Sequence, residues 1–318
     1  MPPTLDAEVA AEISKRDISP VALAPIPVGD ALIRRRIREA ALEDIDRSIS
    51  PGVSTSDFHI PGADGDLILC RWYRKRTSEN TSTAAVVYLH GGGHILGNVT
   101  HFDGVCSRYV ANTSVSILSV DYRLAPEHPY PASLQDAYAS LVWLHSNASN
   151  LHIDPSRIGV MGDSAGGGLA ASLVHYCIHK NGPSIAKQIL IYPMLDNQTT
   201  SAPTCVEPFL VWTVDDNITG WNAFLGSLGN FTGELPPWAV PSRMITVPTG
   251  MPEMYLEVAE LDLFREENEL YAAQVAEAGV KVEVKVRLGC PHGWEHIAPD
   301  AAVTKQAMED RRLALMSL

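Results

Sequence analysis

The chain has 318 residues, of which 46% are hydrophobic and 19% charged, and its formal net charge is −13. This composition is typical of an ordered globular protein and excludes a disordered chain. The phosphate backbone repels a strongly acidic chain, so we expect no nucleic-acid partner.

Several features bear on where the protein works. Residues 1–16 carry acidic residues where a secretory signal needs an apolar run, and no window approaches about 18 uninterrupted apolar residues. Neither a signal peptide nor a membrane span is therefore predicted. Five widely spaced cysteines without a CxxC pair favour reduced thiols and a cytoplasmic protein. Seven N-x-S/T sequons favour secretion instead, but without a signal peptide we interpret them as chance. They lie at Asn80, Asn98, Asn112, Asn147, Asn197, Asn217 and Asn230.

Residues 1–50 are predicted to form a separate helical segment. Leu5–Lys15 and Asp30–Ile49 carry apolar residues at helical intervals. Prolines at positions 20, 25 and 27 break the pattern between them. The segment is expected to cover a catalytic domain or to pack on its outside.

From residue 51 onward, strand patterns alternate with helical ones. Asp66–Tyr73 alternates as an antiparallel strand does. Six later apolar runs lack alternation, which is typical of strands buried on both faces. These runs are Ala84–Leu89, Val115–Val120, Ile158–Met161, Ile189–Tyr192, Tyr255–Val258 and Val280–Val286. Helical stretches such as Leu134–His145 separate them, so we predict an α/β fold with a mostly parallel sheet covered on both faces.

One interval, from Asp196 to about Thr249, is too long for a plain loop in a compact domain. We predict an inserted helical segment there, with Asp215–Gly226 as part of it.

Residues 162–166, GDSAG, match G-x-S-x-G between the strand Ile158–Met161 and a helical pattern. A nucleophile on such a tight turn has strained backbone angles, and side chains two positions away would collide with neighbouring elements. The hydroxyl would stand at the carboxyl end of a parallel strand, where open α/β sheets place their sites. The pattern predicts Ser164 as a nucleophile. The alternative is a glycine-rich strand–helix connection.

Residues 90–93, HGGG, follow the strand Ala84–Leu89 directly. Attack on a carbonyl creates an oxyanion, and consecutive glycines leave backbone N–H groups free to bind it. We predict an oxyanion hole formed by the N–H groups of Gly92, Gly93 and Ala165, with Gly91 as a weaker candidate. A phosphate loop is the alternative, but this stretch lacks both phosphate-loop motifs.

The chain resembles the hormone-sensitive-lipase family of α/β-hydrolase esterases from about Ala84 to Trp294. The resemblance rests on three motifs in the family's order, HGGG, DYRLAPEHPYPAS (Asp121–Ser133) and GDSAGG. The resemblance implies an eight-stranded sheet with a helical cap. The cap would comprise residues 1–50 and an insertion at about 197–248, beside a catalytic domain over 51–318. It also implies hydrolysis of short- to medium-chain carboxylic esters through an acyl-enzyme, with no metal or cofactor.

A serine nucleophile needs a carboxylate and a histidine, here in the order Ser…Asp…His. Residues 260–267 are similar to the family pattern E-x-D-P-L-R-D-E, which places the acid at Asp262, although Leu263 replaces the proline. Glu260 is the competing carboxylate. His292 follows the last predicted strand in a Gly/Pro loop, as the family's G-x-x-H-G-F segment does.

The same segment offers a rival interpretation. Residues 292–296 spell H-x-x-E-H, the inverted zinc-peptidase signature, which needs both histidines on one helix. Pro291 and Gly293 oppose a helix that starts before His292, so we predict no metal site.

Substrate walls are expected beside the glycines and in the insertion, and their apolar character favours an apolar acyl or aryl ester. The predicted wall residues are His94, Ile95, Leu96, Phe209, Leu210, Trp212 and Trp221.

Further polar residues are expected to support the site rather than to react. Asp121, Arg123 and Glu127 are expected to form a network bracing the oxyanion loop. Asp163 is expected to fix the turn, and His90 to orient the glycines.

Several functions remain open on sequence grounds. The same triad cleaves amides, lactones or thioesters, or transfers the acyl group to another alcohol. Some members of the fold that have lost the histidine are ligand receptors. The partners expected are a small-molecule ester and, as a candidate, a second copy of the chain.

Overall fold

A computed structural model describes residues 3–15, 26–76, 82–230 and 234–318. The predicted proline break at positions 20 and 25 and the sequon at Asn80 lie outside these ranges.

Eight strands form a single sheet in the order β1-β2-β4-β3-β5-β6-β7-β8. They are β1 (Val53–Pro61), β2 (Leu67–Lys75), β3 (Thr83–Leu89), β4 (Ser116–Val120), β5 (Ile153–Asp163), β6 (Lys187–Ile191), β7 (Glu253–Leu261) and β8 (Val282–Pro291). β2 runs antiparallel to both of its neighbours, and the six strands from β3 to β8 are parallel. The predicted mostly parallel sheet is confirmed.

The central strands of the sheet are buried on both faces. Every residue of β4 and β6 is buried, as are all but the first of β3, and their apolar residues do not alternate with exposed ones, as in strands covered on both faces. β1 was not predicted, because its sequence VSTSDFHIP is mostly polar and largely exposed at the sheet edge. β8 extends beyond its predicted end at Val286, so His292 directly follows the strand.

Helices cover both faces of the sheet. Within the described ranges they are α1 (Ala7–Lys15), α2 (Ala31–Leu42), α3 (Asp103–Thr113), α4 (Ala132–Ser146), α5 (Ala148–Leu151), α6 (Ala165–Lys180), α7 (Val214–Leu225), α8 (Arg265–Glu277), α9 (Trp294–Ile297) and α10 (Ala302–Met316). None of the helices in these ranges has the length and apolar character needed to cross a bilayer.

Two residues of β2 identify the two layers of helices. Tyr73 donates a hydrogen bond to Asp103 at the start of α3, whereas the Cys70 sulfur lies 3.3 Å from the Ser140 hydroxyl of α4. Side chains three residues apart on a strand point to opposite faces. α3 and α10 therefore pack on one face, and α4 and α6 on the other. His175 of α6 bonds Tyr271 of α8 at 3.0 Å, which joins α8 to the second layer.

The two N-terminal helices lie in different places. α1 packs on α9, and its approach is fixed by a hydrogen bond from the Asp6 N–H to the Gly289 carbonyl, 2.8 Å long. α2 packs on α7, and both Arg34 and Arg38 of α2 pair with Asp216 of α7. The helix predicted to reach Ile49 ends at Leu42. Acidic residues follow directly, at positions 43, 44 and 46, and negative charge is unfavourable at a helix C-terminus.

The long interval after β6 contains α7 and three short 3₁₀ turns. The turns are Glu207–Phe209, Gly226–Asn230 and Pro241–Arg243. α7 starts at a capping box in which Thr213 and Asp216 bond each other's backbone N–H groups. Trp221 and Phe224 of α7 join Ala31 of α2 in a second hydrophobic cluster, separate from the main core. This cluster also contains Ala165, so it lies over the start of α6.

The packing of β4 leads to a stability prediction. Leu118 is fully buried in β4, whereas Leu67 at the start of β2 is 64% exposed. We expect Leu118→Ala to lower the free energy of unfolding by about 2–5 kcal/mol, because it leaves a cavity in a close-packed sheet. Leu67→Ala, the matched control, is expected to change it by less than about 0.5 kcal/mol. Urea unfolding measures both, and equal effects would contradict the assignment of β4 to the core.

Candidate active site

Ser164 occupies a strained turn between β5 and α6. It is the residue before the helix, with φ 55° and ψ −121°, a backbone conformation that residues other than glycine rarely adopt. A Cβ on Gly162 would lie 2.3 Å from the Gly166 carbonyl oxygen, and one on Gly166 would lie 2.0 Å from that of Leu89. Only glycine fits at both positions, as the sequence motif predicts. The turn holds the Ser164 hydroxyl at the carboxyl edge of the sheet.

The loops after β5, β7 and β8 bring three polar side chains together. The His292 Nε2 lies 2.9 Å from the Ser164 Oγ, and its Nδ1 lies 2.6 Å from Asp262 Oδ2. Asp262 directly follows β7, its side chain is fully buried, and its Oδ1 accepts the Phe264 N–H at 3.0 Å. With the proton on Nδ1 facing the carboxylate, Nε2 is free to accept the serine proton.

The alternatives for the acid and for the histidine segment have different geometries. Glu260 accepts the Gly289 N–H at 2.8 Å, so its carboxylate links β7 to β8 instead of facing His292. The helix α9 begins at Trp294, after His292, so His292 and His296 do not share a helix as a zinc-peptidase signature requires. The described residues contain no group of three or more histidine, cysteine or acidic side chains arranged to hold a metal ion.

The glycines after β3 lie beside the serine. Gly92 and Gly93 have φ values of 130° and 57°, and the Gly92 carbonyl accepts the N–H groups of Ile95 and Leu96, each at 3.0 Å. The N–H groups of Gly92, Gly93 and Ala165 have no acceptor among the described residues. Three unpaired donors beside a serine hydroxyl are what an oxyanion needs.

Gly91, the weaker oxyanion candidate, also has an N–H with no acceptor among the described residues, and its carbonyl is held by His90. The His90 Nδ1 donates to the Gly91 carbonyl at 2.8 Å, and burial lowers the pKa of His90 to about 4, so its ring is neutral. Tyr122 stacks on the His90 ring, with centroids 4.3 Å apart, and its hydroxyl donates to the His90 carbonyl at 2.7 Å. His90 thus holds the first peptide of the glycine loop.

The three polar residues predicted to form one network do not contact one another. Asp121 accepts the Val99 N–H at 3.0 Å, and Arg123 pairs with Asp136 and Asp64. Of the three, Glu127 alone reaches the loop, through the ion pair that it makes with an arginine of α2.

That arginine, Arg35, is a supporting residue that sequence reasoning missed. Its guanidinium donates to the carbonyls of Ile95 and Ala125 while it pairs with Glu127. It lies in α2, more than fifty positions from its partners, so no local pattern indicates its role.

Asp163, the residue before the nucleophile, is buried and points away from the serine's partners. Its Oδ2 accepts the Tyr88 hydroxyl, and its Oδ1 has no partner among the described residues. Burial raises the pKa of Asp163 to about 7, although Arg311 and Tyr88 act in the opposite direction.

An apolar cluster covers the serine and the glycine loop. Of the predicted wall residues, it contains Ile95, Leu96, Leu210, Trp212 and Trp221. The Trp212 ring lies so close to Gly93 that a Cβ there would be 2.2 Å from it.

His94 and Phe209 are the two remaining predicted wall residues. His94 stacks on Phe224, with centroids 4.1 Å apart, and burial lowers its pKa to about 3. Phe209 is only partly buried and lies outside the cluster, so its place in the substrate wall stays a prediction. Phe224 was missed, although its position one turn after Trp221 on an apolar helix face indicates it.

The sheet, the strained serine turn and the Ser-His-Asp contacts define an α/β hydrolase. A family model for the alpha/beta hydrolase fold matches residues 86–296. Esterase LipI of Mycobacterium tuberculosis (strain ATCC 25618 / H37Rv) is 31% identical over 272 residues, which are 84% of this chain and 81% of LipI. Carboxylesterase NlhH of the same strain is 37% identical over 219 residues, 67% of each chain.

Solved structures agree with these sequence matches. A structure named Bacterial Heroin Esterase superimposes with a TM-score of 0.86 at 31% identity, covering 99% of this chain and 98% of that one. Esterase LipW from Mycobacterium marinum gives a TM-score of 0.79 at 30% identity, covering 98% and 95%. The chain belongs to the α/β-hydrolase family, in the hormone-sensitive-lipase-like group that its motifs resemble.

Asp163 yields a prediction about pH. Because its folded-state pKa lies above its ordinary value, the folded protein holds a proton that the unfolded chain releases above about pH 4. The unfolding free energy of the wild type, measured relative to Asp163→Asn, is therefore expected to fall as pH rises from 4 to 7. The expected slope is about 1.4 kcal/mol per pH unit. Urea unfolding of both proteins at several pH values measures this difference, and a difference that does not change with pH would contradict it.

Proposed function

We propose that the protein is a serine carboxylic-ester hydrolase that cleaves short- to medium-chain acyl or small-molecule esters through an acyl-enzyme. One observation carries the proposal: the His292 imidazole bridges the Ser164 hydroxyl at 2.9 Å and the Asp262 carboxylate at 2.6 Å. These distances are within the range for nucleophile activation.

Acylation begins with proton transfer from Ser164 Oγ to His292 Nε2. The oxygen attacks the ester carbonyl carbon, and the carbonyl oxygen becomes an oxyanion. Asp262 stabilises the imidazolium ion that forms, and it fixes the ring so that Nε2 faces the serine.

The oxyanion is held by the N–H groups of Gly92, Gly93 and Ala165. Their lack of other acceptors and the apolar surroundings both support this role, because a hydrogen bond to an anion is stronger where water is excluded. Ala165 is also the first residue of α6, so the positive end of the helix dipole faces the same charge.

Three further proton transfers complete the cycle. His292 returns its proton to the alkoxide oxygen as the carbonyl–oxygen bond breaks, and the alcohol leaves. Water then gives a proton to His292 and attacks the acyl-enzyme, the oxyanion forms again, and the Ser164 oxygen recovers its proton as the acid is released.

The cluster above the serine supports an apolar substrate. Its members are aliphatic and aromatic, and the one titratable wall residue, His94, is neutral because burial lowers its pKa to about 3. A charged acyl group would lose its hydration there without gaining an ion partner. The substrate class is therefore an uncharged acyl or aryl ester.

The relatives' names support ester rather than amide or lactone cleavage, since LipI, LipW and the heroin esterase are all named esterases. Acyl transfer to an alcohol uses the same intermediate, so the partition between water and added alcohols measures it. A receptor role is disfavoured because His292 is present and lies in contact with Ser164.

The proposal extends to the cap and the domains. The cap consists of α2 and the insertion at about 197–248, since α2 and α7 pack together and share the cluster over the serine. α1, although within residues 1–50, packs on α9 and belongs with the catalytic domain over 51–318.

A cytoplasmic location belongs to the same proposal. All five cysteines are free, and only Cys205 is exposed. Free thiols persist in a reducing compartment, which favours the interior of the cell.

The first functional prediction concerns the nucleophile. We expect Ser164→Ala to lower p-nitrophenyl butyrate turnover by at least about 10⁴-fold and to abolish labelling by a phosphonate, because no other group replaces the attacking oxygen. Ser149→Ala, the matched control, removes an exposed hydroxyl and is expected to leave turnover unchanged. A wild type that shows neither turnover nor labelling of Ser164 would refute the proposal that the protein is a serine hydrolase.

The second functional prediction concerns acyl length. The apolar cluster over the serine is expected to make kcat/KM for p-nitrophenyl palmitate about tenfold or more lower than for the butyrate. Initial rates across acetate, butyrate, octanoate and palmitate measure this series. Hydrolysis of a long-chain triglyceride emulsion as fast as the butyrate would contradict this prediction.

A further inference from the structure

A buried ion cluster beneath the His292 loop has no part in the mechanism above. Its centre is Arg311 of α10, which is 1% exposed. The guanidinium donates from Nε to Glu257 Oε1 at 2.8 Å, and from Nη1 to Glu295 Oε1 at 2.7 Å and to the Tyr109 hydroxyl at 3.2 Å. Glu257 lies inside β7, the strand that ends just before Asp262.

Glu295 is ionised in this cluster. Burial alone would raise the pKa of Glu295, but the charges of Arg311 and His296 and a hydrogen bond from Tyr192 lower it to about 2. Burying ions is costly unless each is paired and hydrogen-bonded. Because of this cost, we look for a functional role of the cluster in addition to packing.

The cluster reaches His292 through an aromatic ring. The Tyr192 hydroxyl donates to Glu295 Oε1 at 2.6 Å, and the Tyr192 ring stands edge-on against the His292 imidazole, with centroids 4.5 Å apart. The Tyr192 N–H donates to the Glu257 carbonyl at 2.5 Å, so both ends of Tyr192 are tied to the cluster.

The loop that carries His292 is short, and neighbouring elements hold it in place. His292 lies between the end of β8 at Pro291 and Gly293, whose φ of 66° turns the chain. The helix α9 that follows has four residues, and a helix of one turn is not stable in isolation. Asp262 fixes the ring at Nδ1, and its other hydrogen bond among the described residues is from the Phe264 N–H, outside that loop. Glu295, inside α9, ties the loop to α10.

We propose that Glu295, held by Arg311, is a positioning residue that acts through Tyr192 to keep the His292 imidazole in line with Ser164 and Asp262. The inference rests on the triad of the proposed function. It also gives a role to the glutamate of the H-x-x-E-H sequence, as an anchor of the histidine loop.

The test compares Glu295→Gln and Tyr192→Phe with the wild type. The amide keeps an acceptor of the same shape without the charge, and the phenyl ring keeps the edge contact without the hydroxyl. Each change is expected to lower kcat for p-nitrophenyl butyrate by about 10- to 100-fold with KM nearly unchanged, because a misaligned base acts on the transition state rather than on binding. The double variant is expected to lose little more than either single one, since both interrupt the same link.

A second readout follows the histidine directly. The proton NMR resonance of the His292 Nδ1–H, which faces Asp262, is expected to weaken or shift in both variants. Asp103→Asn is the matched control, because Asp103 is a buried carboxylate whose partners are Arg71 and Tyr73 of β2 rather than any residue of the triad or of the Arg311 cluster. It is expected to lower stability while leaving kcat and this resonance unchanged.

The outcomes separate the inference from the proposed function. An inactive, unlabelled wild type would refute the proposed function itself. An active wild type whose Glu295→Gln and Tyr192→Phe variants match Asp103→Asn in kcat and in the resonance would overturn the positioning role alone. If Glu295→Gln does not fold, Tyr192→Phe decides by the same criteria.

Discussion

The close approach of α6 to the end of β3 is the constraint on which the site depends. Gly162 and Gly166 let the helix start within contact distance of the Leu89 carbonyl, with no room for a side chain at either glycine. Because β3 and β5 are neighbours in the sheet, the same contact sets the strained serine beside the glycine loop. Backbone packing thereby sets Ser164 beside the glycine N–H groups that we propose as the oxyanion donors.

The sheet and the cap divide the remaining work. Carboxyl ends of β5, β7 and β8 hold the three polar side chains, and parallel strands bring those ends to one edge. The apolar cluster combines residues of α2, α7 and the insertion with residues of the glycine loop, α6 and the segment after β7. Arg35 joins the two parts, since its guanidinium, from α2, holds the Ile95 carbonyl beside the glycines and the Ala125 carbonyl in the segment after β4. The polar side chains of the site therefore come from the edge of the sheet, and much of the apolar cover comes from the proposed cap.

Sequence was sufficient where the deciding contacts are local. The serine turn, the glycine loop and the strands that precede them are short segments whose residue types follow from nearby backbone geometry. β1 was not predictable, because an exposed edge strand carries no apolar pattern. Arg311 was missed for another reason: its partner Glu257 is 54 positions away, and an arginine in an amphipathic helix resembles a surface residue until the tertiary structure buries it. Leu210 and Trp212 lie in the apolar cluster whereas neighbouring Phe209 does not, and the sequence has no pattern that separates the three.

The distribution of the cysteines has a practical consequence. Burial raises the pKa of Cys70, Cys177 and Cys290 to about 12, so these thiols hardly react at neutral pH, whereas Cys205 is exposed on the insertion. A maleimide dye would therefore attach at one position, on the part of the molecule that covers the serine. The native sequence already carries a selective handle with which fluorescence can follow movements of that cover during turnover.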